Sequence, residues 1–417
     1  MFSVFSSAWA LLLGMMLLQV GNGMQGTLLG IRGEIEGFST LEMSLVMSGY
    51  FVGFLFGSRM APEMIRRVGH VRVFAALASM ISAVMILYPT LADPYAWGAG
   101  RILVGFCFSG VYVTAESWLN NAATNENRGK ALSLYMIVQM MGIVGAQALM
   151  LVADPGGFIL FIIPSVLISL AFAPILLSIS PTPAFDTTKP MTLGEILRIS
   201  PLGCVGMFLL GGVFAAQFGM AAVYGAEAGL SVGEISTFVA SFYIGALLLQ
   251  YPLGWVSDRM DRRLLILMAA AVCGVGAVIG MLFGTTFWML LLSAFIVGGM
   301  SNPLYSLLIA YTNDFLEHDD MAAAAGGMVF INGLGAVAGP LLTGWMMGVV
   351  GPSGFFLFIA ILTFAMVGYA AYRMTQRAAP SVEDTESYTV VAAGASPAVV
   401  AFAQEVTIEA AQEDSDG

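Results

Sequence analysis

The stretch "LGWVSDRMDRRLLI" (residues 253–266) puts five charges into the six positions 258–263 of a chain in which only 10% of residues are charged. Apolar runs flank it on both sides, so Asp258, Arg259, Asp261, Arg262 and Arg263 mark a break between two segments that avoid charge. The same kind of break recurs along the chain. With 59% hydrophobic residues, 49 glycines and a mean hydropathy of +0.88, the 417 residues exceed what a soluble globular chain carries, and the sequence reads as a membrane protein. A spanning helix needs about 20 mostly apolar residues. Cutting at charge clusters and Gly/Pro/Asn/Asp turns gives apolar segments at 7–31, 40–61, 71–91, 95–119, 129–152 and 156–179. A second set follows at 201–225, 232–256, 263–284, 286–311, 322–348 and 354–373. The expected fold is an all-α polytopic membrane protein with twelve transmembrane helices in two sets of six.

The first segment lacks the basic start and small-residue cleavage site of a secretory signal, and is read as a retained helix. Cys107, Cys204 and Cys273 all sit inside apolar segments without ligand-like spacing, so neither a disulfide framework nor a metal site is expected. Threading the segments alternately places Arg59, Arg66, Arg67, Arg72, Arg128, Lys130, Lys189, Arg198, Arg259, Arg262, Arg263, Arg373 and Arg377 on one side, 13 of the 15 Lys and Arg. Arg32 falls opposite and Arg101 within a segment. The basic side is expected to be cytoplasmic, with both termini inside, in the cell inner (plasma) membrane. The net charge of −11 owes −8 to the stretch from Ala378 onward, which has eight acids and no base. The expected organisation is a six-helix bundle over 1–185, a cytoplasmic linker over 186–200, a second bundle over 201–375 and an acidic, mobile tail over 376–417. The apolar patch "AVVAFA" (398–403) in that tail is a weak docking candidate.

The two sets of six repeat one another. Sliding the chain by 192 lays "GFSTLEMSLVMSGYFVGFLFG" (37–57) on "GLSVGEISTFVASFYIGALLL" (229–249), matching Gly37 with Gly229, Ser39 with Ser231, Glu42 with Glu234 and Gly53 with Gly245. Arg67 falls on Arg259. Sliding by 193 matches Gly105 with Gly298, Tyr112 with Tyr305, Asn120 with Asn313 and Gly142 with Gly335, and sets Gln139 on Asn332. Two long ungapped alignments at nearly one offset imply parallel repeats related by an axis along the membrane normal.

Within this frame "GWVSDRMDRR" lies between the second and third helices of the second half. It resembles the GxxxDRxGRR signature of the major facilitator superfamily, with Gly254, Asp258, Arg259, Arg262 and Arg263 in register and Asp261 in place of the second glycine. In that superfamily the motif is a cytoplasmic gate latch, which is the role the resemblance implies here. The alternative is a solvated basic loop that serves topology alone. The first-half copy, "APEMIRRVGHVRVF", has Pro62 for Gly254 and Arg66 for Asp258, retains Arg67 and Gly69, puts His70 in place of Arg262, and carries Arg72 beyond it. A base stands where an acid is usual, so a latch there needs another carboxylate. Glu63, one turn earlier, and Glu116, near the cytoplasmic end of the fourth helix, are the candidates; Glu116 is read as a latch partner, the alternative being a group that titrates during transport. "RRVGHVRVFAAL" together with "ESWLN" is similar to the YcaD-like branch of the superfamily.

Helices one, four, seven and ten line the central cavity in that family, and the resemblance directs the search for a substrate path to them. Gln19, Asn22 and Gln25 recur every three residues near one face of the first helix; Gln217 lies in the seventh; Tyr112 and Tyr305 are repeat mates in the fourth and tenth. Gln139 and Asn332 form a second symmetric pair, each equally readable as an interhelical hydrogen bond. Arg101 opens "RILVG", similar to the family's RxxxG element, and is either functional or a snorkelling residue at the outer surface. Tyr243 and Gln250 are read as packing or gate residues. The midpoints of the spans contain no Asp or Glu, and the fifth helix lacks the GxxxGP of drug antiporters. "GAVAGP" in the eleventh instead suits close packing through Gly335, Gly339 and Pro340. His70 and His318 fall in loops without ligand partners, and no GxxxxGK[ST] loop exists, so an enzyme or nucleotide-driven pump is excluded. The resulting expectation is a secondary active transporter for a small polar or amphipathic organic solute. It needs no cofactor and no nucleic acid, uses H+ or Na+ as coupling ion, acts as a monomer and has the lipid bilayer as its surroundings. A non-transporting scaffold or sensor on the same fold is the alternative.

Overall fold

A computed structural model describes residues 2–122, 128–174, 191–376, 388, 390 and 391. Lys189, Arg377, the tail patch at 398–403 and most of the acidic tail fall outside these residues. Among the described residues the regular structure is entirely helical. The order is α1 (Phe2–Ile35), α2 (Thr40–Val68), α3 (His70–Leu87), α4 (Pro94–Ala122), α5 (Arg128–Leu149), α6 (Ile159–Ala171), α7 (Leu193–Ile199), α8 (Pro201–Ala215), a π-helical turn (Ala216–Met220), α9 (Ala221–Glu227), α10 (Val232–Ser257), α11 (Arg262–Phe283), α12 (Phe287–Asn313), α13 (His318–Val350) and α14 (Gly354–Met374). Pro201–Glu227 is one continuous spanning helix, and it is one of ten helices among the described residues that are long and apolar enough to cross a membrane. α1, 34 residues long, dilutes its apolar surface with Gln19, Asn22 and Gln25. With α6 these make the twelve spans.

The repeat seen in the sequence is a repeat of mechanism. Gly37 and Gly229 both hold positive φ, 76° and 74°, ending one helix where a side chain would be strained. Two residues later Ser39 and Ser231 cap α2 and α10. Each serine hydroxyl accepts the backbone N–H of Glu42 or Glu234 at 3.3 Å, and each glutamate accepts the serine N–H at 2.8 Å. These are paired capping boxes. Further along, a Cβ on Gly53 would collide with the Ile102 carbonyl and one on Gly105 with that of Tyr50. In the second half a Cβ on Gly245 would collide with the Phe295 carbonyl and one on Gly298 with that of Phe242. α2 therefore crosses α4 backbone to backbone, as α10 crosses α12. Gly142 against Met16 and Gly335 against Phe208 repeat the device between α1 and α5 and between α8 and α13.

The chain packs as two compact units, one of residues 1–187 with 215–240 and 337–355, the other of 188–214 with 241–336 and 356–417. Two stretches that the sequence repeat assigns to the second half thus pack in the first unit, at the end away from the basic loops. There Gly30 meets Ala222, Ser48 donates to the Val337 carbonyl at 2.7 Å, and the Thr40 hydroxyl donates to Glu227. Within the described residues the structure adds two details. The sixth span, expected over 156–179, is a 13-residue helix over its described part. The linker 186–200 contains α7, capped by Thr192 and Glu195, with Ile196 buried against Gly327.

Candidate substrate site and charged loops

Polar side chains inside the first unit gather into one chain of hydrogen bonds. Gln19 Nε2 donates to Gln139 Oε1 at 2.5 Å, the Tyr112 hydroxyl donates to Gln19 Oε1 at 2.7 Å, and Asn22 Nδ2 donates to the Tyr112 oxygen at 2.8 Å. Gln25 Nε2 reaches Asn22 Oδ1 at 3.1 Å. The three-residue spacing on α1 is what points these amides the same way, toward α4 and α5. Gly142, one turn after Gln139, lets α5 approach: a Cβ there would stand 2.8 Å from that of Gln19. Gln19, Gln25, Tyr112 and Gln139 are buried, while Asn22 keeps partial exposure. The Gln25 Oε1 acceptor is buried without a hydrogen-bond partner. Leaving such a group unmet costs about 1–3 kcal/mol.

Tyr50 of α2 flanks the cluster: its ring lies 6.4 Å from that of Phe108, which in turn lies 5.9 Å from that of Tyr112. Over the Tyr50 ring, 4.7 Å from the centroid, lies the Arg101 guanidinium. Arg101 is 3% exposed, so it does not snorkel to a surface. Its Nη2 reaches Met47 Sδ at 3.5 Å, and Nε and Nη1 have no hydrogen-bond partner. A buried cation without an acid is costly, partly offset here by the cation–π contact.

The remaining candidates lie on other helices. Gln217 is buried in the π-helical turn, a distortion often found at functional sites. Tyr305 belongs to the second unit, buried with its ring 5.9 Å from Phe214. Asn332 donates to the Met207 carbonyl at 3.0 Å, locking α13 to α8. The symmetry between Gln139 and Asn332 is therefore one of position and not of surroundings.

The charged loops also differ between halves. Glu63 accepts from Arg66 Nε at 2.8 Å and Nη2 at 2.9 Å, and from Arg67 Nε at 2.6 Å. All three are on the last turns of α2, where solvent screens such pairs and leaves them little net stabilisation. Arg66's carboxylate is thus Glu63, three residues back on its own helix. Glu116, the other candidate, is buried on α4 and accepts the Tyr135 hydroxyl at 2.9 Å. Gly69 has φ 84° and turns α2 into α3, which explains its retention; Arg72 is exposed on α3. His70 is not a loop residue: it begins α3, is buried, and lies 3.1 Å from Ser117 Oγ. His318 likewise starts a helix.

In the second half Asp261 caps α11 by accepting the Arg263 N–H at 2.9 Å, and binds the Arg263 guanidinium at 2.9 Å. Partial burial works to raise its pKa, but the hydrogen bonds and charge of Arg263 outweigh it and hold the carboxyl below the ordinary aspartate range. An aspartate fits the position usually held by glycine because a cap is needed there. Arg262 is buried and ion-paired with Asp314, also buried, with Asp258 at 3.7 Å as a looser second partner. Arg259 stacks on Trp255, 4.2 Å from the ring centroid, and donates to that residue's carbonyl at 2.9 Å. Gln250 bridges Ser306 and Tyr388, consistent with a packing role.

Sequence reasoning missed Tyr50, Asp314 and Tyr388. Tyr50 lay within the quoted repeat, three residues before Gly53. Asp314 was an acid next to Asn313, at the same end of the chain's spans as the arginines. Tyr388 was a lone aromatic in an acidic tail.

The sequence profile described as Major Facilitator Superfamily matches residues 11–224 and again 202–403. The chain belongs to the major facilitator superfamily. Its curated likenesses lie in the YcaD-like branch. The "Uncharacterized MFS-type transporter YcaD" of Salmonella arizonae is 24% identical over 358 residues, covering 85% of this chain and 92% of that protein. That of Salmonella heidelberg is 25% identical over 358 residues, with the same coverage of 85% and 92%. Among solved structures, the nucleoside transporter NupG matches with a TM-score of 0.73 at 13% identity, over 87% of this chain and 98% of that one. A bacterial homolog of the human lysosomal transporter Spinster matches with 0.68 at 13% identity, over 97% and 98%. These last two show the fold. Membership in this transporter family makes the chain a multi-pass membrane transport protein and not an enzyme.

Proposed function

We propose that the chain is a secondary active transporter moving a small polar or amphipathic organic solute across the inner (plasma) membrane by alternating access, with the basic end and both termini in the cytoplasm. The observation that carries this reading is the amide–phenol cluster of Gln19, Asn22, Gln25, Tyr112 and Gln139. A span buries such groups only for a reason: each interhelical bond yields about 1 kcal/mol, and hydrophobic side chains would pack the same helices. Gln25 Oε1 offers an unfilled acceptor, and the Arg101 guanidinium one ring away offers unfilled donors. A solute bearing both hydroxyl or N–H donors and an acceptor satisfies both, whereas a bare ion or a polyanion does not. Closure of the first unit at its non-basic end, through Gly30, Ser48 and Thr40, supports one side of the access cycle. Charge loading at the opposite end supports the orientation. Glu116, buried against Tyr135, is the carboxylate best placed to take a coupling proton, with Na+ as the other candidate ion. A single chain carries the complete cluster and is the functional unit.

The test compares uptake and efflux of metabolites in a strain lacking the gene with one overproducing it, and with one overproducing Tyr112→Phe. One or more polar solutes should shift with the wild-type chain and return toward the deletion strain with the variant. No solute shifting in any strain, with a partner protein recovered instead, overturns transport in favour of a scaffold.

A further inference from the structure

Tyr388 and Val391 lie beyond the last span, yet they are held in the second unit by Gln250 of α10, by Asp258 just after it and by Ser306 of α12. The Tyr388 N–H donates to Asp258 Oδ1 at 2.8 Å, and Gln250 Nε2 donates to the Tyr388 hydroxyl at 2.8 Å. Ser306 clasps the backbone of Val391 from both directions, donating to its carbonyl at 3.1 Å and accepting its N–H at 2.9 Å. Val391 is 2% exposed. The Tyr388 ring lies on Gly254, where a Cβ would stand 2.6 Å from it. Gly254 and Asp258 are the first and fifth positions of the loop signature that opened the sequence analysis, and Gln250 is one helical turn before Gly254 on α10.

We propose that Gly254, Gln250, Asp258 and Ser306 form a binding groove for an extended peptide, and that its occupant is the chain's own tail, held through Tyr388 and Val391. The groove reads that segment in three ways: backbone donors and acceptors meet Asp258 and Ser306, an aromatic ring fills the space a glycine leaves open, and a phenol meets a carboxamide. A consequence, which rests on the transport reading, is that Asp258 is engaged by the tail and joins a gate latch only when the tail leaves, so the tail acts as a brake.

A cysteine reporter at Val391 tests the groove in the full-length protein in lipid, without reference to transport. Cys107, Cys204 and Cys273 are buried and contribute little background. Val391→Cys should react with a maleimide slowly, and Tyr388→Ala or Gly254→Ala should each accelerate the reaction about tenfold or more by releasing the segment. Tyr388→Ala changes only the tail, so its outcome does not depend on how the bundle tolerates substitution. Reaction of Val391→Cys in the otherwise unchanged chain as fast as in detergent-denatured protein overturns the proposal. So does a slow reaction that either variant leaves unchanged, since the segment would then be buried elsewhere. Either failure leaves the transport reading standing.

Discussion

Two residues decide how the buried polar chemistry is to be understood. The Tyr112 hydroxyl joins Gln19 to Asn22, so Tyr112→Phe removes two hydrogen bonds while keeping the ring and its packing on Phe54 and Phe108. Transport is expected to fall about tenfold to a hundredfold, on the scale of 1–3 kcal/mol, while the thermal midpoint in detergent moves by a few degrees at most. Equal losses in both would make the tyrosine structural. Arg262 shows the opposite balance, because its partner Asp314 is as buried as it is. Asp314→Asn removes the guanidinium's buried partner, leaving Asp258 at 3.7 Å, and is expected to lower stability by about 3–5 kcal/mol, whereas the pair Arg262→Met with Asp314→Leu restores most of it. Thermal unfolding in detergent distinguishes the two outcomes. Gln19, Asn22, Gln25, Tyr112 and Gln139 were legible in the sequence because amides in apolar spans stand out at helical spacing. Asn332 was equally visible yet serves a helix contact, since a residue's type does not say whether its neighbour is a side chain or a carbonyl. For Arg66 the sequence offered both Glu63 and Glu116, and the exposed charge takes the nearer acid, Glu63.

At the level of the helices, glycine placement sets which ones cross closely. Gly53 and Gly245 are repeat mates, each facing a carbonyl of the helix it crosses. Gly53→Val and Gly245→Val should therefore fail alike, with loss of folded protein read as a collapsed monodisperse peak on size-exclusion chromatography. Gly145→Ala, on a helix glycine with open space around its Cβ position, should fold normally. A milder prediction concerns α11. Asp261→Ala removes its cap and should cost about 1 kcal/mol, seen as faster amide exchange in the first turn. The depressed pKa of Asp261 means that this contribution is complete above the ordinary aspartate range and lost as pH falls through the lower folded value. Helix count and order were readable from the apolar runs alone. α7 was not, because seven residues carry too little periodic signal. The π-helical turn within the seventh span was not either, since it arises from packing and leaves no pattern in the sequence.

For the whole molecule, the basic residues predict sidedness and the repeat predicts two bundles. Cysteines at Thr90 and Thr285 should label from outside intact cells, and those at Thr124 and Ser381, both beyond the described residues, only after permeabilisation. Cytoplasmic labelling of Thr90 would invert every gate assigned above. The packing into two units was not legible, because repeats record ancestry while the ends of 215–240 and 337–355 take their partners from shape. The central claim is that the amide–phenol cluster lies on a path reached in turn from both sides of the membrane. Its most direct measurement is the reactivity of Asn22→Cys, the partly exposed member of the cluster, with a membrane-impermeant thiol reagent applied to right-side-out and inside-out vesicles separately. Alternating access predicts labelling from both faces, with bound solute slowing both reactions. Labelling from one face only, or from neither, contradicts it.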